Sequence, residues 1–247
     1  EPTTDYSLAN RSFFFDIRQQ TWSAETLAYV GMPVDKLPGL AQAGTIVGTV
    51  APDMAAELGL PLNVKIVIGG HDQCVNAMGA GAIRAGSSVY GIGTFGCITP
   101  IYNTIPPAEM MIKARLNVEH HALAGLYVSF YYNLTAGALL KWFRDTFAPL
   151  EKMQAQANHA DIYDQLLAEM PADPTKLLVL PHFAPTGPPY FDEHPNGVIV
   201  GLTLETTRGE YIKALLEGVT YYFREGLDVM GAAGIVIDEI RVTGGGA

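Results

Sequence analysis

The sequence predicts an α/β fold, and three observations carry that prediction. Patterns typical of strands and of helices alternate along the 247 residues. The β-branched run from Val64 to Ile68 has the length and composition of a strand that is covered on both faces. Gly69 and Gly70 follow it directly, and a helical pattern begins at about Gln73. A strand that turns into a helix in this way is the building unit of α/β proteins.

The composition indicates a folded chain with a sizeable core. Hydrophobic residues make up 49% of the sequence and charged residues only 16%, which excludes a disordered protein. The 15 basic residues are outnumbered by 25 acidic ones, which gives a net charge of −10 without a basic cluster. This balance argues against nucleic acid or an acidic membrane as the main partner. It leaves a phosphorylated ligand open, because backbone N–H groups can bind phosphate without positive side chains.

The cysteines and the ends of the sequence bear on location and completeness. Cys74 and Cys97 match no metal-binding spacing and are typical of reduced thiols in the cytoplasm, although a disulfide stays open. The sequence contains no signal peptide and no long apolar run. It starts at Glu1 rather than at Met, and it ends on a glycine turn directly after a strand. We therefore expect a piece of a longer protein.

The residues before the Val64 strand predict short elements with clear boundaries. Ser23 can cap a helix that Gly31 stops, and Pro52 and Gly59 suit the first turn and the end of another helix. The expected elements are a strand within 12–18, a helix within 22–30, a strand within 44–50 and a helix within 52–60.

From Ser87 onward the pattern predicts three strands, a helix, a strand, a helix and a strand, with a helical insertion. Thr207 and Glu210 form a capping box in front of the longest helical pattern, which runs to about Met230. The segment 103–125 reads as a polar excursion with a short extended piece at 116–119. The strands are expected at 87–92, 97–102, 126–131, 177–180 and 239–242, and the other helices after Thr135 and over 150–170.

Asp72 stands at the corner between the Val64 strand and the following helix. Proteins of the α/β class usually place their chemistry at such corners. From these residues alone, a helix N-cap is the stronger interpretation, because Asp is among the best capping residues. Val75, Met78 and Ile83 would then form the apolar face of the helix.

Three motifs place the sequence in a family when they are taken together. They are Gly70-His-Asp-Gln73 followed by Gly79 and Gly81, Tyr90-Gly-Ile-Gly-Thr94, and Ile240-Arg-Val-Thr-Gly-Gly-Gly-Ala247. In this order they resemble the FGGY family of carbohydrate kinases, with a lean toward its xylulokinase-like members. The order of elements after Ser87 is similar to the ribonuclease H-like fold of actin, the Hsp70 ATPase and the sugar kinases.

The resemblance implies two domains with ATP and a sugar bound between them. Residues 1–84 would be the C-terminal part of the first domain, and 85–247 most of the second. The family's N-terminal phosphate loop, Asp-x-Gly-Thr or Asp-x-Gly-Ser, occurs nowhere in the sequence. The chain thus resembles about half of such a kinase, and we expect the chain by itself to be inactive.

The resemblance also implies roles at the Asp72 corner. Asp72 matches the general base that takes the proton of a substrate hydroxyl, and this role now outranks the N-cap. Gln73 matches a position that contacts substrate hydroxyls in some relatives, with a solvated helix residue as an equal alternative. His71 could line the sugar pocket, but a structural histidine is an equally good interpretation.

Two glycine loops match the nucleotide site of the family. Gly93 and Thr94 match the second phosphate loop, with an ordinary hairpin turn as the alternative. The usual residue after this Thr is Ser, and here it is Phe95. Gly244, Gly245, Gly246 and Ala247 match the adenosine loop, with a glycine hinge as the alternative.

The expected function is transfer of the γ-phosphoryl group of ATP, with Mg²⁺, to a sugar or polyol hydroxyl. The expected partners are that sugar or polyol and ATP, without nucleic acid or membrane, and a homodimer is left open. No set of protein metal ligands is expected, and xylulose, other ketoses, polyols, glycerol and aldonates all remain open as substrates. One rival is a non-catalytic nucleotide-binding or scaffold domain of the actin-like superfamily. A metal hydrolase that uses His71, Asp72 and His120 lacks the required ligand spacing.

Overall fold

The computed structural model describes residues 2–247, and the first third of this range consists of short elements. The helices at 24–30 and 52–58 begin and end at the predicted residues, with Gly31 and Gly59 in the left-handed conformation. The elements are β1 (Thr3–Asp5), α1 (Tyr6–Asn10), β2 (Phe15–Asp16), β3 (Thr21–Trp22), α2 (Ala24–Val30), a 3₁₀ turn (Val34–Lys36), β4 (Gly39–Ala41), β5 (Ile46–Thr49), α3 (Pro52–Leu58), β6 (Lys65–Val67) and α4 (Asp72–Gly79).

The remaining two thirds contain longer elements and the main sheet. They are β7 (Ser87–Ile92), β8 (Gly96–Tyr102), α5 (Ala108–Ala114), β9 (Glu119–His120), β10 (Tyr127–Val128), β11 (Tyr131–Asn133), α6 (Ala136–Phe147), α7 (Pro149–Ala157), α8 (Ile162–Ala168), β12 (Leu178–Leu180), β13 (Val198–Val200), α9 (Arg208–Ala232) and β14 (Glu239–Thr243).

The main sheet has six strands in the order β14-β7-β8-β10-β9, and β11 also pairs with β8. β7 and β8 form an antiparallel hairpin in which Gly91 lies opposite Cys97. β14 runs parallel to β7, with Thr243 opposite Gly91. Because β7 and β14 are parallel, the turns that follow them lie at the same edge of the sheet.

Helix α9 packs across this sheet and organises the core. Its capping box is present as predicted: Thr207 accepts from the Glu210 backbone, and Glu210 accepts from the Thr207 backbone. The apolar face predicted for α9 is confirmed in its main residues. From Val219 onward, these residues pack against Ile98, Tyr131 and Leu139. Nearer the start of the helix, they pack against Phe143 and Leu166. The buried members of that face are Ile212, Leu215, Val219, Tyr222 and Phe223.

The helical insertion, which consists of α7 and α8, is tied to the start of α9 by ion pairs. Arg208 lies 2.5 Å from Glu151 on α7 and 2.6 Å from Glu169 just after α8. We predicted one helix over 150–170, but His159 takes a left-handed backbone conformation and separates α7 from α8. Within residues 2–247, no helix is both long and apolar enough to cross a lipid bilayer.

The expectation that the Val64 strand is buried on both faces is wrong for the described residues. β6 pairs only with β5 in a two-stranded sheet, and Ile66 and Val67 are about half exposed. A β-branched run favours extended backbone, but it carries no information about which elements cover it. The three-phenylalanine segment is also mostly irregular, because Phe13 has a φ of 70° and only Phe15 and Asp16 are in β2.

Two further predictions fail in the segment 103–131. α5 forms where we predicted an irregular excursion, since it consists largely of strong helix formers and buries Met111. The predicted strand over 126–131 is split at Ser129 and Phe130, where Asn117 takes the Phe130 N–H out of the ladder. Its backbone carbonyl accepts from Ser129 Oγ, and its side-chain oxygen accepts from the Phe130 N–H.

The strand at 177–180 lies outside the main sheet. β12 pairs with β13 in a separate two-stranded sheet, while β14 takes the place beside β7. Thr135 is the N-cap residue of α6, but its side chain makes no capping bond, since its hydroxyl donates to Asn133 Oδ1 and the Pro181 carbonyl instead.

Gly218 on α9 tests the close packing of this helix. A Cβ atom there would lie 2.6 Å from the Val179 carbonyl oxygen and 2.8 Å from the Val179 Cβ. We expect Gly218→Ala to lower the free energy of unfolding by about 1–3 kcal/mol because strand β12 has to move. Gly231→Ala, on the same helix with open space around it, should instead stabilise by about 0.5–1 kcal/mol. Urea unfolding of both variants measures this, and equal shifts would contradict it.

His121 tests the cost of a buried neutral imidazole. The side chain is buried, its Nδ1 accepts from the Leu123 N–H at 3.0 Å, and burial lowers the pKa of His121 to about 4. The unfolded chain takes up this proton near pH 6.5, so stability should fall as the pH drops from about 6.5 to about 4, by up to about 3 kcal/mol.

His121→Asn provides the comparison for that pH dependence. The amide oxygen of Asn can accept the Leu123 N–H without titrating. Burial also lowers the pKa of His120 and His182, so both proteins keep a residual slope, and the difference between them isolates His121. Parallel stability curves from pH 7 to pH 4 would refute the prediction.

Candidate active site

Asp72 is the first residue of α4, directly after the turn that follows β6. His71, not Asp72, is the N-cap residue, and it makes no side-chain capping bond, so the N-cap interpretation of Asp72 is wrong. The Asp72 side chain is 85% exposed, and its Oδ1 accepts from the Gln73 N–H at 2.7 Å. An exposed carboxylate held at the start of a helix is available to a ligand.

The apolar face of α4 differs from the predicted one. Cys74 and Ala77 are buried, whereas Val75 and Ile83 are exposed. Gly70 explains the close fit of the preceding turn, because a Cβ there would lie 3.3 Å from both Ala122 Cβ and Ser7 Oγ. Small residues therefore let the helix and the turn before it pack closely against neighbouring segments. The spacing of larger apolar residues, on which the prediction was based, does not reveal such packing.

His71 lies between Asp72 and the interior. Its Nε2 is 3.1 Å from Asp72 Oδ1, and its Nδ1 is 3.3 Å from Glu119 Oε2. The ring meets Phe130 edge to face at 5.2 Å between centroids. The backbone N–H of His71 donates to Ser7 Oγ at 2.8 Å. These contacts hold the imidazole in one orientation.

A cavity of about 210 Å³ joins the first motif to the hairpin of the second. His71 and Gln73 line it, as do Phe95, Gly96 and Cys97 at the end of the hairpin. Its remaining lining residues are Arg11, Phe130, Tyr132 and Leu134.

A second cavity of about 200 Å³ lies beside the first. The two share Arg11, Phe130 and Tyr132, and the second adds Glu119 and Arg115 among its walls. A larger space of about 500 Å³ lies elsewhere, between α6 and the start of α9, and is lined by residues such as Phe143 and Tyr211. We place the candidate site at the two smaller cavities, because the first contains His71 and Gln73 of the first motif and the second shares three lining residues with the first.

Gly93 and Thr94 form the turn between β7 and β8, and this turn is tied to the start of α6. The carbonyl oxygens of Gly93 and Thr94 accept from the N–H groups of Gly137 and Ala138, each at 3.0 Å. Gly137 permits this approach, since a Cβ there would lie 2.5 Å from the Gly93 oxygen. The turn is thus a hairpin, as in the alternative interpretation, but one that a helix holds in place with Thr94 exposed.

The Gly244–Gly246 loop packs against the end of β7, beside the Gly93 turn. The Gly246 N–H donates to the Ile92 carbonyl at 3.1 Å. Gly244 has a φ of 103°, and a Cβ there would lie 2.4 Å from the same oxygen. Close backbone approach therefore explains Gly244 without a ligand, while Gly245 faces open space. Ala247 stays near, with its N–H donating to the Gly244 carbonyl.

The structure thus brings the predicted residues together in two groups around β7. On one side of β7, residues 95–97 at the start of β8 line a cavity together with His71 and Gln73. On the other side of β7, the Gly244–Ala247 loop follows β14. Sequence reasoning missed Arg11, Glu119, Phe130 and Tyr132. They belong to no motif, and Glu119 was predicted only as the end of a short extended piece within a polar excursion.

The remaining nucleophile and metal candidates find structural roles. Burial raises the pKa of Cys74 to about 12 and that of Cys97 to about 11, so both free cysteines stay protonated at neutral pH. His120 Nε2 lies 3.0 Å from the Ile17 carbonyl, and its ring packs against Tyr6, Phe15 and Tyr127. Across the described chain, no three His, Cys, Asp or Glu side chains are placed to hold a metal ion.

Comparison with solved structures supports the fold. The chain superposes on a xylulose kinase from Brucella ovis with a TM-score of 0.84 at 26% identity, covering 100% of this chain and 48% of that one. It superposes on a xylulose kinase from Rhodospirillum rubrum with a TM-score of 0.83 at 29% identity, covering 99% and 47%. These neighbours have the ribonuclease H-like fold of actin and Hsp70, so the predicted fold class is confirmed.

Comparison of sequences leads to the family. The chain is 28% identical to the xylulose kinase of Bacillus subtilis over 247 residues, and 32% identical to a gluconokinase of Bacillus licheniformis over 221 residues. It spans 47% and 42% of their lengths, that is, about half of these curated relatives. The model of the family's N-terminal domain matches residues 1–79, and that of its C-terminal domain matches residues 110–247. Since these matches cover most of its length, this chain belongs to the FGGY family of carbohydrate kinases.

Proposed function

We propose that the protein containing this chain transfers the γ-phosphoryl group of ATP to a hydroxyl group of a sugar or polyol. One observation carries the proposal beyond family membership. The exposed Asp72 carboxylate lies between His71 and Gln73 in the sequence, and these two residues line a cavity together with Phe95, Gly96 and Cys97 of the hairpin between β7 and β8. A general base and a phosphate-binding turn have to face the same space for phosphoryl transfer.

Asp72 is the proposed general base. The hydroxyl oxygen of the acceptor attacks the γ-phosphorus of ATP while its proton passes to the Asp72 carboxylate. The bond between the γ-phosphorus and the bridging oxygen breaks, and its electron pair leaves with ADP. His71 and Gln73 line the cavity beside Asp72, so we propose that they bind the substrate together with it.

The two glycine loops are the proposed nucleotide site. Gly93 and Thr94 would donate to the γ-phosphate, and Gly244, Gly245, Gly246 and Ala247 would lie against the adenosine. Their support is that parallel pairing of β14 with β7 places both loops at one edge of the sheet. Magnesium would bind together with ATP. Because water and the ATP phosphates supply most ligands of a bound Mg²⁺, a cluster of carboxylates is not required.

A ketose of the xylulose type is the first substrate to test. Several relatives are named xylulose kinases, while others are named gluconokinase and glycerol kinase, so the family does not fix the substrate.

We further propose a division near residue 84 into two domains, a cytoplasmic location, and inactivity of the 247-residue chain by itself. The matched ranges 1–79 and 110–247 support the division.

A non-catalytic nucleotide-binding domain is the second candidate. Phe95 supports it, because this exposed side chain lines the cavity where the family pattern has a serine. A phenyl ring there takes space and offers no hydrogen bond to phosphate.

The proposal is tested by ADP release from the natural full-length protein with Mg-ATP and a panel of ketoses, polyols and aldonates. We expect release that depends on one class of acceptor. Asp72→Asn should lower kcat by about 10²–10⁴-fold, because the amide cannot take the hydroxyl proton. Asp161→Asn is the matched control: Asp161 also accepts from an N–H in a first helical turn, on α8, far in sequence from the cavity residues.

The outcomes separate the candidates. Acceptor-dependent release that Asp72→Asn abolishes and Asp161→Asn preserves would support the kinase. ATP binding without release for any acceptor would favour the non-catalytic domain. Release that survives Asp72→Asn would remove Asp72 as the base, and clear turnover by the 247-residue chain would refute its predicted inactivity.

A further inference from the structure

Glu119 is a buried carboxylate with an unusual division of partners. Only 6% of the residue is exposed. One oxygen, Oε1, accepts from Arg11 Nη1 and from Asn117 Nδ2, each at 3.0 Å. The other oxygen, Oε2, is buried and lies 3.3 Å from His71 Nδ1, and neither of these two atoms has a hydrogen-bond partner within residues 2–247. A buried carboxylate is costly unless both oxygens are served, so the contact with His71 matters.

His71 connects this buried carboxylate to the exposed one. Its Nε2 lies 3.1 Å from Asp72 Oδ1, so the two ring nitrogens each face a carboxylate. A carboxylate only accepts hydrogen bonds, so the ring nitrogens of His71 are the groups placed to face the two carboxylates. The ring cannot turn away easily, because Phe130 flanks it and Ser7, itself bonded to Asp5, holds its backbone.

We propose that Glu119 is a positioning residue for the reaction: through His71 it orients the Asp72 carboxylate toward the cavity. The inference rests on the proposed role of Asp72 as the base. Glu119 touches neither substrate nor nucleotide and exchanges no proton with them. Its effect is to fix the imidazole, which in turn limits the rotation of a side chain that is otherwise 85% exposed.

A purely structural role for Glu119 is the competing explanation. The ion pair with Arg11 joins the segment after α1 to β9 and could be the sole reason for the buried charge. The two roles use different oxygens, Oε1 for Arg11 and Oε2 for His71, so they can be separated.

Glu119→Gln in the natural full-length kinase makes this separation. The amide can keep its oxygen on Arg11 while its NH₂ replaces the acceptor that faced His71. We expect kcat to fall about tenfold to a hundredfold, with the KM for ATP unchanged, because a misplaced base slows the chemical step. Glu217→Gln is the matched control, since Glu217, on α9, accepts from the Thr175 hydroxyl and lines neither cavity. Its kcat should equal that of the wild type.

A double-mutant cycle identifies the path of the effect. If Glu119 acts through His71, Glu119→Gln should cost nothing further in kcat once His71→Asn is present. Equal costs in both backgrounds would overturn the proposal in favour of the structural role. Glu119→Asp keeps the charge but withdraws it by one methylene group, and it should reduce kcat as well; it replaces Glu119→Gln should that variant not fold.

The ¹⁵N NMR signals of the His71 ring give a readout that does not need turnover. Glu119→Gln should shift them, and unchanged signals would overturn the proposal. If Asp72→Asn keeps full activity, the proposed role of Asp72 as the base fails, and this inference fails with it. If Asp72→Asn is inactive while Glu119→Gln has wild-type kcat, only the positioning role of Glu119 fails.

Discussion

The parallel pairing of β14 with β7 is the constraint on which the arrangement of the site depends. These strands are about 150 residues apart in sequence, yet their register aligns Thr243 with Gly91. The turn after each strand is consequently delivered to one edge of the sheet. The hydrogen bond from Gly246 to Ile92 then closes one loop onto the base of the other. Without this register, two glycine-rich turns at distant places in the chain would have no physical relation.

A second set of contacts fixes the Asp72 corner against the same sheet. Gln42 Nε2 donates to the Ala122 carbonyl at 2.8 Å, and the His120 N–H donates to Asn10 Oδ1 at 2.9 Å. Together with the Arg11–Glu119 pair, they join the first third of the chain to β9 and its flanking turn. Most of these are hydrogen bonds between a side chain and the backbone, whose geometry depends on particular atoms rather than on apolar area. They therefore determine orientation more narrowly than hydrophobic packing would.

The sequence predicted local features well where a single residue decides the structure. Gly31 and Gly59 end their helices, and Thr207 with Glu210 starts α9, because capping depends on atoms within one turn. Predictions that depend on distant partners fared worse. The exposure of β6 depends on what covers it, and the split between β10 and β11 depends on Asn117, which lies in a different segment. The place of β14 beside β7 also required the three-dimensional pairing.

Prediction of the candidate site from the sequence has the same limit as prediction of the fold. Asp72, Gly93 and Gly244 could be selected in the sequence because each belongs to a short motif with a backbone requirement. Glu119 could not, since nothing near it in sequence marks a buried carboxylate, and only the fold brings its Oε2 to His71. A sequence motif identifies residues whose backbone has to approach a ligand closely. The side chains that support them can come from any part of the chain that the fold places nearby. The residues around a motif therefore have to be found from contacts, and here those contacts form a continuous line from Arg11 through Glu119 and His71 to Asp72.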